Sequence, residues 1–128
     1  MVQVVLVDDH PMVRQGLRAL LTLYEDLELV GEAENGIEAV RLVEKLRPHV
    51  VVMDINMPVM NGIDATQHIK TRWPQTVVVG ISVNTGDENS AAMKKAGAAT
   101  LISKDDADEQ LYDAIREGTS ATRLELAA

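Results

Sequence analysis

Short runs of branched apolar residues alternate along the chain with segments whose apolar residues recur every three or four positions. The runs are Val2–Val7, Val50–Met53 and Thr76–Ser82, with a weaker one at Ala99–Ser103 and an alternating one at Leu27–Ala33. Near-continuous apolar runs of this length suit strands covered on both faces, as in parallel sheets. Between them, Val13, Leu17, Leu20, Leu21 and Tyr24 keep helical spacing, with Pro11 in the first turn. Asn35 and Glu38 read as a helix cap and its return partner ahead of Val40, Val43 and Leu46. Asn61 and Asp64 repeat that pairing before Ile63 and Ile69, and Pro74 stops the helix. Asp87 or a near neighbour opens a fourth helix that Gly97 ends. Asp105 or Asp106 opens a fifth, with Leu111, Ala114 and Ile115 turned inward. Five strands, each followed by a helix, predict an α/β fold, a (βα)5 doubly wound parallel sheet. That domain is expected to span residues 1–117. The small and polar residues of 118–128 are read as a C-terminal extension of the last helix, a frayed end or the start of a linker.

Composition narrows what such a domain can do. The 128 residues suffice for one buried core without staples. With no cysteine, disulfides, thiolate metal sites and cysteine nucleophiles are excluded. With no phenylalanine, the core falls to Val, Ile, Leu, Ala and Met. A formal charge of −8 argues against a grip on nucleic acid by this domain itself, since phosphate binding rests on lysine and arginine. No export signal opens the chain, and no apolar stretch approaches the roughly 18 residues of a membrane span. A cytoplasmic location is the expectation.

In a doubly wound sheet, ligands bind at the carboxyl ends of the strands. The first strand ends in Asp8 and Asp9, the third in Asp54, the fourth in Ser82 and the fifth in Lys104. Three carboxylates converging there repel one another by roughly 3 kcal/mol per pair, at about 5 Å and an effective dielectric of about 20. A hard divalent cation resolves this, and Mg2+ takes oxygen ligands and shares phosphate oxygens readily. Protonation is the competing resolution, through a carboxyl of raised pKa. Asp54 is the natural nucleophile, because a carboxylate attacks phosphorus without a general base. Lys104 would place a fixed positive charge on the phosphoryl oxygens and Ser82 a hydroxyl donor.

The segments Val-Leu-Val-Asp8-Asp9-His10-Pro11-Met12-Val13-Arg14, Val-Met-Asp54-Ile-Asn56-Met57-Pro58-Val-Met-Asn61-Gly62, Ile81-Ser82 and Ile102-Ser103-Lys104 resemble the successive signatures of response-regulator receiver domains. The resemblance covers roughly residues 2 to 117. It implies the flavodoxin-like fold with strand order 2-1-3-4-5 and phosphorylation of Asp54 by a sensor histidine kinase. It also implies an Mg2+ ion held by Asp8, Asp9, Asp54 and the backbone carbonyl of Asn56, with Gly62 in a turn after the phosphoacceptor. The Asp-Asp-His-Pro-x-Val-Arg opening and Asp105 after Lys104 resemble the NarL/FixJ subfamily, whose members usually join the receiver to a LuxR-type helix-turn-helix domain. No such domain lies within these residues, so DNA would be reached only through one elsewhere. Homodimerisation is left open between the first and fifth helices and the face of the fourth helix, fifth strand and fifth helix. No membrane partner is expected.

One position departs from the family. Receivers commonly carry tyrosine or phenylalanine three residues before the lysine, where this chain has Leu101. Leucine has no phenolic hydroxyl and fills less space, so phosphoacceptance is expected intact and its transmission weaker or different. An atypical receiver working as a phosphorylation-independent interaction module stays open for that reason. A flavin- or nucleotide-binding module is disfavoured, because neither G-x-G-x-x-G nor a P-loop follows the first strand. A phosphatase of the haloacid-dehalogenase kind is disfavoured too, since Asn56 stands where such enzymes carry an acidic proton donor. Among the remaining polar residues, His10 reads as a helix-entry residue, His49 and His68 as surface or strand-edge residues, and Asn84 as a residue that could overhang the site. Met53, Met57, Met60, Met93 and Trp73 read as packing groups.

Overall fold

A computed structural model describes the backbone of residues 1–127 and the side chains of residues 1–120. Five strands alternate with five helices: β1 Val2–Val7, α1 Pro11–Leu21, β2 Leu27–Ala33, α2 Gly36–Leu46, β3 Val50–Asp54, α3 Gly62–Arg72, β4 Val77–Ser82, α4 Asp87–Ala96, β5 Thr100–Ser103 and α5 Ala107–Ala127. The strands form one parallel sheet in the order β2-β1-β3-β4-β5. This is the doubly wound flavodoxin-like arrangement expected from the sequence.

Strand side chains alternate faces, so the apolar runs divide into two cores. Val4, Leu6, Val50, Val52, Val77, Val79 and Ile81 face Leu17 and Leu21 of α1 and Leu111 and Ile115 of α5. Val5, Val7, Val51, Met53 and Val78 face Val43 of α2, Ala65 and Ile69 of α3 and Met93 of α4. Each central strand is thereby sandwiched, which is why its sequence reads as apolar without interruption. Met53 and Met93 are fully buried, and Met57 and Met60 are packed against the second core, in keeping with their reading as packing groups.

Caps set the helix ends. Asn35 Oδ1 accepts from the Glu38 N–H at 3.0 Å, and Asn61 Oδ1 accepts from the Asp64 N–H at 2.9 Å. The Glu38 carboxylate returns one residue earlier than a capping box predicts, accepting from the Glu34 N–H at 2.9 Å. The first helix stops at Leu21, short of Tyr24, which instead stacks on Tyr112 with ring centroids 4.0 Å apart. The fifth helix opens later than expected. Ser103 Oγ accepts from the Asp105 N–H at 3.2 Å, and Lys104–Asp106 form a single 3-10 turn before α5 begins at Ala107. Gly97 closes α4 at φ 111°, a conformation that only glycine adopts without strain. Among the described residues, no helix is long and apolar enough to cross a membrane.

Candidate functional site

Strand register does the first work of assembly. Val7 lies opposite Met53, so Asp8 and Asp54 leave adjacent strands side by side. Asp54 lies opposite Ile81 and Ser82 opposite Ser103, which brings Ser82 and Lys104 to the same edge. Asp8 and Ser82 are fully buried and Asp54 is 2% exposed. Asp9 is half-buried, whereas Asn56 is exposed on the loop beyond β3. That loop is held close by Gly62, whose N–H donates to the Ile55 carbonyl at 2.8 Å. A Cβ at Gly62 would sit 1.9 Å from the Asp54 carbonyl oxygen, so α3 can start there only with glycine. The reason for Gly62 is this close approach and not the turn conformation expected of it.

Lys104 bridges the two buried carboxylates. Its Nζ lies 2.8 Å from Asp8 Oδ2 and 3.2 Å from Asp54 Oδ1. Asp8 Oδ1 accepts from the His10 N–H at 2.8 Å, which folds the β1–α1 loop back over the sheet. Asp54 Oδ2 is buried with no hydrogen-bond partner among the described residues. Burial, followed by the charge of Asp8, pushes the Asp54 carboxyl up to about 6, with Lys104 pulling the other way. Burial disfavours the Lys104 ammonium, but its hydrogen bond to Asp8 and the charges of Asp54 and Asp8 outweigh this and raise its pKa.

Two carboxylates therefore share one ammonium, with the Asp9 carboxylate close by, and a buried oxygen of Asp54 is left over. That donor set fits a hard divalent cation, which would be held by Asp8, Asp9 and Asp54.

Several residues outside the expected set support this edge. The Arg14 guanidinium, one helical turn beyond His10, donates from Nη1 to the Asp8 carbonyl at 2.7 Å. Its Nε lies 3.3 Å from Glu32 Oε1, tying the acidic loop to β2. Arg14 stood in the sequence as part of a motif, with nothing local to say that it reaches back to Asp8. Asn84 lies on the loop just beyond β4. Its Oδ1 accepts from the Gly86 N–H at 3.0 Å, and its own N–H donates to Ser82 Oγ at 3.1 Å. His49 Nδ1 accepts from the Gln3 N–H at 2.8 Å and so serves the sheet edge. Trp73 is buried, with the guanidinium groups of Arg47 and Arg72 at 5.1 and 4.8 Å from its ring centroid. Leu101 lies opposite Gly80, where Leu101 Cδ1 and Met93 Cε fill the space a Cβ would need, at 2.9 and 2.8 Å from it.

The fold and the acidic strand-end cluster point to one class, signalling receiver domains built on the doubly wound sheet. The chain belongs to the response regulator receiver domain family, whose model matches residues 4–116. It is 35% identical over 115 residues to the transcriptional regulatory protein DegU of Brevibacillus brevis, covering 90% of this chain and 49% of that one. It is 33% identical over 117 residues to the nitrate/nitrite response regulator protein NarL of Escherichia coli K12, covering 91% of this chain and 54% of NarL. Among solved structures, the receiver domain of the putative response regulator NarL from Mycobacterium tuberculosis superposes with a TM-score of 0.88 at 29% identity, covering 93% of this chain and 96% of that one. The resemblance to NarL-type regulators thus holds. The chain spans about half the length of the curated relatives it matches.

Proposed function

We propose that this receiver domain accepts a phosphoryl group onto Asp54 from the phosphohistidine of a sensor histidine kinase. The observation that carries the reading is the state of Asp54 itself. It is buried, Lys104 holds its Oδ1, and its Oδ2 has no hydrogen-bond partner among the described residues. An Asp54 oxygen forms the bond to phosphorus while the donor's N–P bond breaks, and the electron pair leaves with the imidazole. Above about pH 6 the Asp54 carboxyl is ionised and ready to attack. Lys104 stays within reach of the transferred oxygens from its place between Asp8 and Asp54. The Ser82 oxygen already accepts from the Asn84 N–H, which leaves its hydroxyl proton to donate to a phosphoryl oxygen. Asp8, Asp9, Asp54 and the Asn56 carbonyl would hold Mg2+. When bound, the ion offsets the negative charge gathered in the transfer.

In this reading the domain is a cytoplasmic signalling module that catalyses only its own phosphorylation and dephosphorylation. Residues 1–117 form the receiver, and 118–128 serve as a C-terminal extension or the start of a linker. A LuxR-type DNA-binding domain in the parent protein would deliver the output as transcription, with homodimerisation as an intermediate step. Leu101, packed against Gly80 and Met93, gives the phosphorylated state no phenol to reposition. Transmission to the α4–β5–α5 face is accordingly weaker, and NMR shifts across residues 85 to 115 on phosphorylation should be small. Shifts spread through that whole range would refute this part of the reading.

The test of phosphoacceptance is incubation with acetyl phosphate and Mg2+, read by intact mass. One added phosphoryl group is expected, lost in Asp54→Asn and without metal. No modification by acetyl phosphate or phosphoramidate would overturn the proposal.

A further inference from the structure

His10 stands at the N-terminal boundary of α1, where a polar side chain ordinarily accepts from the first-turn N–H groups. Here no side-chain cap hydrogen bond is made. The imidazole turns back instead, with Nδ1 3.0 Å from Asp9 Oδ1 and 3.4 Å from Asp8 Oδ1. One ligand atom from each of Asp8, Asp9, His10 and Asp54 can be chosen so that all four lie within 4.8 Å of one another. Around a six-coordinate ion with bonds of about 2.1 Å, adjacent ligands lie about 3 Å apart and opposite ones about 4.2 Å. The 4.8 Å span of the cluster exceeds that sphere by about half an ångström, so the four groups, the imidazole among them, would draw in slightly to share one ion. A second observation points to a ligand independently of this spacing. Asp54, whose side chain is 3% exposed, keeps Oδ2 buried without a hydrogen-bond partner among the described residues.

We infer that His10 is a further ligand of this centre, adding an imidazole nitrogen to the carboxylate oxygens of Asp8, Asp9 and Asp54. The inference rests on the metal-binding reading above and gives the site a selectivity. Oxygen donors alone suit Mg2+, whereas imidazole nitrogen raises affinity for Mn2+, Co2+ and Ni2+. The chain should thus discriminate against Mg2+ more strongly than its three carboxylates would by themselves.

The full chain loaded with Mn2+ is examined by pulsed EPR for coupling to a directly bound nitrogen. Ni2+ and Mg2+ affinities are measured by calorimetry on the same protein. His10→Asn is the test variant, because asparagine is a good helix cap and offers only an amide oxygen to a metal. His68→Ala, on the exposed face of α3, controls for binding by a surface histidine. The expected result is nitrogen coupling that disappears in His10→Asn and persists in His68→Ala. Alongside it, Ni2+ affinity falls roughly tenfold or more while Mg2+ affinity changes less than about twofold. Mn2+ binding without nitrogen coupling would overturn the inference and leave the carboxylate site standing, with His10 acting only as an ion-pair partner of Asp9. Coupling that survives in His10→Asn, or equal losses for Ni2+ and Mg2+, would overturn it too. Failure of the unaltered chain to bind Mn2+, Ni2+ or Mg2+ would overturn the metal reading along with it.

Discussion

Two clusters of charge flank β1, and they behave in opposite ways. At the carboxyl edge of the sheet, the buried Asp8 and Asp54 share Lys104 beside the half-buried Asp9, and Asp54 is pushed up to about 6. Along α1 and β2, Arg18 grips Glu32 through two hydrogen bonds of 2.8 and 2.9 Å in a half-exposed setting. There the hydrogen bond from Arg18 leads in holding the Glu32 carboxyl below its ordinary range. The residue types are the same, but burial and the balance of charge differ. Buried carboxylates with too few cations make a site that stability alone does not favour. An exposed and balanced cluster ties two elements together at little gain. Arg14 joins the two, donating to the Asp8 carbonyl while its Nε lies beside Glu32.

The contrast is broken most severely at Lys104. In Lys104→Met, Asp8 and Asp54 face each other with no cation between them, and the metal-free domain should lose about 3 to 5 kcal/mol near neutral pH. The loss should shrink in acid as Asp54 takes up a proton, which chemical denaturation across pH would show. Asp54→Asn should act in the opposite direction. A carboxyl whose folded pKa is raised favours the native state when neutral, below the unfolded value, and disfavours it as pH climbs past the folded value. The asparagine variant should therefore gain about 3 kcal/mol above pH 6, with the advantage fading to nothing below about pH 4. Added Mg2+ should narrow the gap by stabilising the unaltered protein alone. Glu32→Gln sharpens the other side and should cost less than about 1 kcal/mol. Its sign with pH is reversed: a depressed carboxyl contributes above its unfolded pKa and loses that contribution as acid carries the pH through the folded value. A large cost in Glu32→Gln, or a destabilised Asp54→Asn, would contradict the comparison.

Much of this arrangement was legible in the sequence. The apolar runs located all five strands to within a residue at either end, because burial on both faces leaves little else in them. Each run also ends at a polar residue, so the edge holding Asp8, Asp54, Ser82 and Lys104 followed from the fold class and the parallel register. Less legible was what depends on contacts across the chain. Tyr24 keeps helical spacing but lies past the end of α1, because its ring belongs to Tyr112, remote in sequence. Ser103 caps the 3-10 turn and delays α5, which local apolar spacing does not encode. The reach of Arg14 to Asp8 and the close approach of Gly62 to the Asp54 carbonyl appear only once strands and helices are packed.

The central claim is that this strand edge exists to place a phosphoryl group on Asp54. The most direct measurement is borohydride reduction of protein treated with acetyl phosphate and Mg2+, followed by peptide sequencing. An acyl phosphate at Asp54 is reduced to the alcohol, so homoserine should replace aspartate at position 54 and nowhere else. Aspartate intact at position 54, or reduction confined to another residue, would contradict the account.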